Sequence, residues 1–215
     1  TQVASVQPGN IVIPRGQTVA VAVGLSGDTT ASAMVVWERA RDKTDAVPLK
    51  AGDGGALQGE LKGVYHDSRY RVVAGDARSP WYTIQVTNPP GLEQWTAKVV
   101  PPEYLGRKPF GLDSASTEAG VPVGSTLVLA GSATAPLKAA SVLQDEAVLT
   151  EKDIEGRTKF ALTFKMREGG SVRLRLVGVN GLEATSVMPF AMVPDQKPSV
   201  VLVDTKQRVV AAGAD

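Results

Sequence analysis

Ile13-Pro14-Arg15-Gly16-Gln17-Thr18 runs into Val19-Ala20-Val21-Ala22-Val23, and Val121-Pro122-Val123-Gly124-Ser125-Thr126 runs into Leu127-Val128-Leu129-Ala130. Pro-x-Gly makes a turn, because Pro fixes φ and Gly accepts positive φ. The Thr-headed apolar run that follows each copy reads as a strand. The copies lie just over one immunoglobulin-sized domain apart. The expected fold is therefore all-β: two tandem immunoglobulin-like (Greek-key) β-sandwiches, plus the truncated start of a third repeat.

Bulk composition agrees with that reading. The chain has 215 residues, enough for two domains of about 100 residues that each bury a core. Its formal net charge of +1 gives no electrostatic reason to expect a nucleic-acid partner. With no Cys, a disulfide framework and a thiolate metal site are both excluded. No apolar run reaches the ~18–20 residues that span a bilayer. The chain opens on Thr1 inside a strand-like pattern, so it reads as an excised piece of a longer polypeptide.

The expected boundaries are residues 1–88 for the first sandwich, 89–94 for a Pro-rich linker and 95–194 for the second sandwich. Residues 195–215 would begin a third repeat, trailing off, leaning on the second domain or pairing with a neighbouring molecule. In the first sandwich the strands are Val3–Val6, Ile11–Ile13, Val19–Leu25, Met34–Arg39, Ala56–Gly63, a penultimate strand within Asp67–Gly75 that starts near Tyr70, and Trp81–Val86. Asp42–Lys50 is a polar connection with a weak edge strand. Trp37 reads as the buried ring of the third strand, with a sugar-stacking platform as the alternative. Tyr70 resembles a tyrosine corner, its hydroxyl bonding a nearby backbone group to pin a crossover between sheets. In Asn88-Pro89-Pro90-Gly91 two prolines restrict the chain to extended geometry and stiffen the junction. Trp95 is expected at the interdomain contact.

In the second sandwich the strands are Gln94–Val100, Thr126–Gly131, a weakly amphipathic Leu137–Leu143, a short edge at Ala147–Thr150, Thr158–Phe164, Ser171–Val177 and Thr185–Val193. Thr158–Phe164 and Ser171–Val177 alternate polar and apolar residues at period 2.

Val99-Val100-Pro101-Pro102-Glu103-Tyr104-Leu105-Gly106 and the following Pro-x-Gly-x-Thr turn carry a family likeness. Further elements of it are Val6-x-Pro8-Gly9, Pro14-x-Gly16, Tyr70-x-Val72-x-Ala74-Gly75 with Ser79-Pro80, and Asp195-x-x-Pro198. The chain resembles a domain-of-unknown-function family of long, membrane-anchored bacterial proteins with tandem extracytoplasmic Ig-like repeats. Leu105 stands where that family usually has Thr. The resemblance implies an envelope location and a membrane anchor in the full-length protein, and brings no active site with it.

Chemistry-bearing constellations are sparse. His66, the single histidine, sits between Tyr65 and Asp67 and is followed by Asp67 and Ser68, but sequence neighbours on a strand point apart and do not make a triad. Asp42, Asp45 and Asp53 could gather around Ca²⁺, though solvated loop acids are the preferred reading. Asp145, Glu146, Glu151, Asp153 and Glu155 are interleaved with Lys152 and Arg157, as on a screened surface. Gly52-Asp53-Gly54-Gly55 lacks the Lys-Ser/Thr and the helix of a phosphate loop. Arg173 and Arg175 lack the aromatic platform of a nucleic-acid stripe.

The expected role is a non-enzymatic structural or interaction segment, with protein partners or neighbouring repeats and with no cofactor, metal or nucleic acid. A carbohydrate- or protein-binding adhesin-like module, or an accessory domain of a secreted hydrolase, is the alternative. Its ligand-contact residues would be Trp81, Tyr82, Trp95 and Tyr104, and it requires at least two of them side by side in solvent.

Overall fold

The computed structural model describes residues 1–27, 32–39, 43–52, 56–115 and 120–194. The expected third repeat at 195–215, and the loop acids Asp42 and Asp53, lie outside the described residues.

The first ten strands are β1 (Gln2–Gln7), β2 (Ile11–Ile13), β3 (Gln17–Ser26), β4 (Ala33–Arg39), β5 (Lys43–Pro48), β6 (Lys50–Ala51), β7 (Leu57–Val64), β8 (Ser68–Ala74), β9 (Ala77–Arg78) and β10 (Tyr82–Val86). They form two facing sheets, β1-β3-β7-β6 and β2-β10-β8-β4-β5, with β9 pairing β8. Inward positions alternate with exposed ones, so Val19, Val21 and Val23 of β3 meet Val35, Trp37, Tyr70 and Val72 across the sandwich in one core. The polar stretch from Lys43 to Pro48 forms a longer edge strand than its composition suggests, β5 pairing with β4 along its whole length.

The second set is β11 (Leu92–Val100), β12 (Phe110–Asp113), β13 (Gly120–Pro122), β14 (Thr126–Ala133), β15 (Leu137–Gln144), β16 (Ala147–Asp153), β17 (Lys159–Lys165), β18 (Val172–Gly178), β19 (Glu183–Val187) and β20 (Ala191–Val193). Sheets β12-β11-β14-β17 and β16-β15-β18-β19 enclose a separate core, and β13 pairs β20. Its first strand begins at Leu92, ahead of the expected residue 95, so the connection between β10 and β11 is residues 87–91. The expected single last strand is two strands, β19 on β18 and β20 on β13. Pro189 lies at the break, where it has no N–H to give a ladder.

Both copies of the Pro-x-Gly phrase make the same turn. Gly16 and Gly124 each have φ 83°. Gly16 N–H donates to the Val64 carbonyl at 2.8 Å, and Gly124 N–H to the Met166 carbonyl at 2.9 Å. Each turn therefore ties the start of the second long strand to the end of the strand beside it. Side chains with a Cβ are strained at that φ, which is why the motif ends in Gly.

Both sandwiches share a change of sheet near their start. The chain leaves β1 in one sheet and enters β2 in the other, where β2 runs parallel to β10. In the first sandwich the crossing is held by Tyr70, fully buried on β8. Its hydroxyl donates to the Gly9 carbonyl at 2.9 Å and accepts from the Gly9 N–H at 3.1 Å. The tyrosine therefore pins a crossover between sheets, as the sequence suggests, but its partner lies 61 residues upstream, not nearby. Burial disfavours the phenolate more than the Gly9 bond favours it, and the nearby Tyr82 adds to the rise. The Tyr70 pKa is pushed up from 10.0 to about 12.

Tyr70→Phe leaves a buried N–H and C=O unpaired, so we expect it to lower the stability of the first sandwich by about 1–3 kcal/mol in urea unfolding. A raised pKa favours the protonated folded state. Its stabilisation is fully present below the ordinary value of 10.0 and is lost as pH rises towards about 12. In the wild type one phenol should therefore resist ionisation until alkaline unfolding, followed by ultraviolet absorbance of phenolate. Tyr70→Phe should abolish that late step.

Candidate functional site

The four aromatic candidates do not form a shared face. Trp95 is 8% exposed and sits in the core of the second sandwich, in edge-to-face contact with Phe190 at 5.6 Å between centroids. It is therefore a core residue and not the interdomain contact expected from its place near the linker. Because β11 starts at Leu92, Trp95 falls on an inward position of an established strand. Tyr82 is half-buried against the first core, its ring 5.4 Å from Tyr70. Trp81 is half-buried just before β10, and the guanidinium carbons of Arg69 and Arg71 lie 4.7 and 4.5 Å from its ring centroid. Cation–π stacking thus occupies the ring with side chains of the same domain. Tyr104 is 67% exposed on a short 3₁₀ turn, Glu103–Leu105. Trp37 is 2% exposed in the first core, as the core reading of its strand requires.

The nucleophile candidates are also apart in function. Asp67 Oδ1 accepts from the Val86 N–H at 2.7 Å, so this acid holds β10 and does not orient His66. Ser68 Oγ has no hydrogen-bond partner, and hence no bond to an imidazole base. Of the acids, Asp45 pairs with Arg39 at 2.6 Å, Glu155 with Arg157 at 3.4 Å and Glu151 with Arg175 at 3.9 Å. Among the described residues no three His, Cys, Asp or Glu side chains gather in a metal-binding arrangement. A trough of about 550 Å³ on the first sandwich is lined by small and apolar residues such as Ala20, Ala22 and Gly59 together with Lys50, Gln58, Glu60 and Lys62, the last two paired with each other at 3.5 Å.

The motif residues of the family likeness are explained by local bonding. Ser79 N–H donates to the Val72 carbonyl and its hydroxyl accepts from the Val72 N–H, both at 2.9 Å, sealing the β8–β10 hairpin. Pro102, in the Pro-Pro-x-Tyr phrase, packs beside the Gly124 turn, where a Cβ would meet Pro102 Cγ at 3.3 Å. Leu105 is accommodated in the 3₁₀ turn, which closes on Gly106 in the left-handed conformation.

The junction is bonded from both sides. Thr87 N–H donates to the Ile13 carbonyl at 3.1 Å and so belongs to the first sandwich. Gly91 belongs to the second: its N–H donates to Thr134 Oγ1 at 2.8 Å, and Thr134 N–H donates back to its carbonyl at 2.9 Å. Pro90 is buried and lies against Gly178, whose hypothetical Cβ would be 3.4 Å from Pro90 Cδ. Only Asn88 and Pro89 remain between the two anchorages. The sequence shows the prolines but not the Thr134 clamp, which comes from a turn more than forty residues away.

Residues 67–213 match the profile of a family described as Domain of unknown function (DUF4175), and the chain belongs to that family. No curated protein matches the chain. Among solved structures, the fibronectin(III)-like modules of Clostridium thermocellum CbhA align over 87% of this chain and 94% of theirs, at 11% identity and a TM-score of 0.43. That superposition is too loose to carry an argument, and the fold stands on the strand topology described above.

The core position of Trp95 has a direct consequence. We expect Trp95→Ala to cost the second sandwich about 3–5 kcal/mol and to leave the unfolding of the first unchanged. Urea unfolding followed by NMR peaks from each sandwich measures both.

Proposed function

We propose that this chain is a non-enzymatic structural and interaction segment, part of an extracytoplasmic stalk in a larger, membrane-anchored bacterial envelope protein. The observation that carries the reading is the junction. Two sandwiches with separate cores are joined by a connection in which only Asn88 and Pro89 lie between the anchored residues of the two sides. Proline restricts that short stretch further, so the connection acts as a semi-rigid spacer and not as a flexible tether. Loops and edge strands of such a rod are the surfaces it offers to partners. Among the described residues no helix is long and apolar enough to cross a membrane, so the anchor in this proposal is supplied by another part of the full-length protein.

Two measurements test the proposal. Small-angle X-ray scattering of the wild type should give a narrow distribution of interdomain distances. Replacing both Pro89 and Pro90 by Gly, together with Thr134→Val, should broaden it; an equally broad distribution in the wild type would remove the spacer mechanism. In cells making the full-length protein, protease added outside spheroplasts should digest this segment. Protection until the inner membrane is lysed would refute the location.

A further inference from the structure

The two sandwiches differ at one edge. β7 has a neighbour on each side, β3 and β6, whereas β17, its counterpart, pairs only with β14. Counting from the shared turns at Gly16 and Gly124, Val23 corresponds to Gly131. Leu57, paired with Val23, therefore corresponds to Phe160, paired with Gly131. In the first sandwich β6 covers Leu57 and Gln58. The equivalent residues, Phe160 and Ala161, instead border a groove of about 270 Å³ whose lining includes Lys152 and Asp153 at the end of β16. The second sandwich thus leaves open the lane in which the first lays a strand of its own.

Hydrogen-bond parity shows what that lane offers. At the two ends of the β14–β17 ladder, Ala133 N–H donates to the Thr158 carbonyl at 2.9 Å and Met166 N–H to the Ser125 carbonyl at 2.8 Å. Bonded and unbonded pairs alternate along an antiparallel ladder. Phe160, Leu162 and Phe164 therefore bond β14, while Lys159, Ala161, Thr163 and Lys165 turn their N–H and C=O groups outward. The first sandwich has the same parity. Gly52 N–H donates to the Ala56 carbonyl at 2.8 Å, which makes Gln58, the counterpart of Ala161, the next residue bonded to the covering strand.

Exposed edges are commonly blunted by bulges, prolines or shortness. β1 and β16 are interrupted by register shifts, β5 ends on Pro48, and β12 and β19 have four and five residues. β17 has seven residues, no proline and an unbroken register with β14. What guards it is charge. Lys159, Ala161, Thr163 and Lys165 are its exposed side chains, and Thr126, Val128, Ala130 and Ser132 beside them on β14 include no acid. Among the described residues no acid pairs with Lys159 or Lys165. In the groove Lys152, Arg157 and Lys159 stand against Asp153, with Arg157 held by Glu155 at 3.4 Å. A second copy paired along the whole strand would set Lys159 against Lys165, which is repulsive, whereas an acidic strand meets each with an opposite charge.

We propose that the open edge of β17 is a docking site for an extended acidic segment of a partner protein, which joins the β12-β11-β14-β17 sheet as a fifth strand. Its backbone bonds Lys159, Ala161 and Thr163, and its Glu or Asp side chains lie beside Lys159 and Lys165. The proposal rests on the reading of this chain as an interaction segment and gives that reading a surface and a partner chemistry.

The test is an NMR titration of the intact chain with two capped peptides, Thr-Glu-Val-Glu-Val-Glu-Thr and Thr-Lys-Val-Lys-Val-Lys-Thr. The acidic peptide should move the amide peaks of Ala161 and Thr163 saturably and slow their hydrogen exchange; the Lys peptide should do neither. Thr163→Pro removes an outward N–H without breaking a bond to β14, and should abolish binding. Should that variant not fold, Lys159→Glu combined with Lys165→Glu should weaken the acidic peptide about tenfold and transfer binding to the Lys peptide. No saturable movement on β17, equal binding of both peptides, or unchanged binding in the variants would overturn the proposal. So would slow exchange at Ala161 and Thr163 before any peptide is added. That result would show the edge already taken, by a second copy if it depends on protein concentration and by the chain itself if it does not. None of these results bears on the scattering or protease measurements, so failure here leaves the spacer and its location standing.

Discussion

Everything in the first sandwich depends on how its opening strand changes sheets. A chain passing from one layer to the other must carry backbone N–H and C=O groups through the end of an apolar core, where each unpaired group is expensive. The Tyr70 hydroxyl meets this need at Gly9 with a single side chain, as donor and acceptor at once. The same ring stacks against Tyr82 on β10, the strand that β2 joins in parallel. Core packing, sheet crossing and the last strand are thereby fixed by one residue. In the second sandwich the crossing is a longer excursion. There the chain turns at Glu103–Leu105, adds β12 to the sheet edge and returns as β13, with Pro102 set against the Gly124 turn.

Much of this architecture is legible in the residues because it is governed by local rules. Phe160, Leu162 and Phe164, and likewise Val172, Leu174 and Leu176, recur at every second position, and that period assigns each side chain to a face without knowledge of the partner strand. The Pro-x-Gly turns are equally local, since φ of 83° at Gly16 and Gly124 is a property of that turn. β15 is less readable. Its apparent weak amphipathicity hides a strand buried along most of its length, with Ser141 covered by the Arg175 side chain, whose Nε bonds Ser141 Oγ at 3.3 Å. Long charged side chains from a neighbouring strand can bury a polar outer face in this way. The short β12 carries too few alternating positions to be recognised, and Trp95 is misplaced by three residues of strand that precede it.

Functional features were harder to read for the same physical reason. The Thr134 clamp on Gly91 and the bonds from Gln144 to the 167–169 turn each join residues far apart in the chain, and neither partner is unusual in isolation. The aromatic residues, by contrast, attract notice in the sequence and are then used for packing: Trp95 in a core, Tyr82 beside Tyr70, Trp81 under two arginines.

The central claim is that the chain holds two apolar cores that fold and unfold separately. Native-state hydrogen exchange across a denaturant series tests it most directly, because amides that open together share one free energy and one denaturant slope. Amides of β3, β4, β7 and β8 should converge on one unfolding isotherm, and those of β14, β15, β17 and β18 on a second, each with the slope of a single sandwich. A single isotherm shared by all eight strands, with the slope of the whole chain, would show one merged cooperative unit and contradict the account.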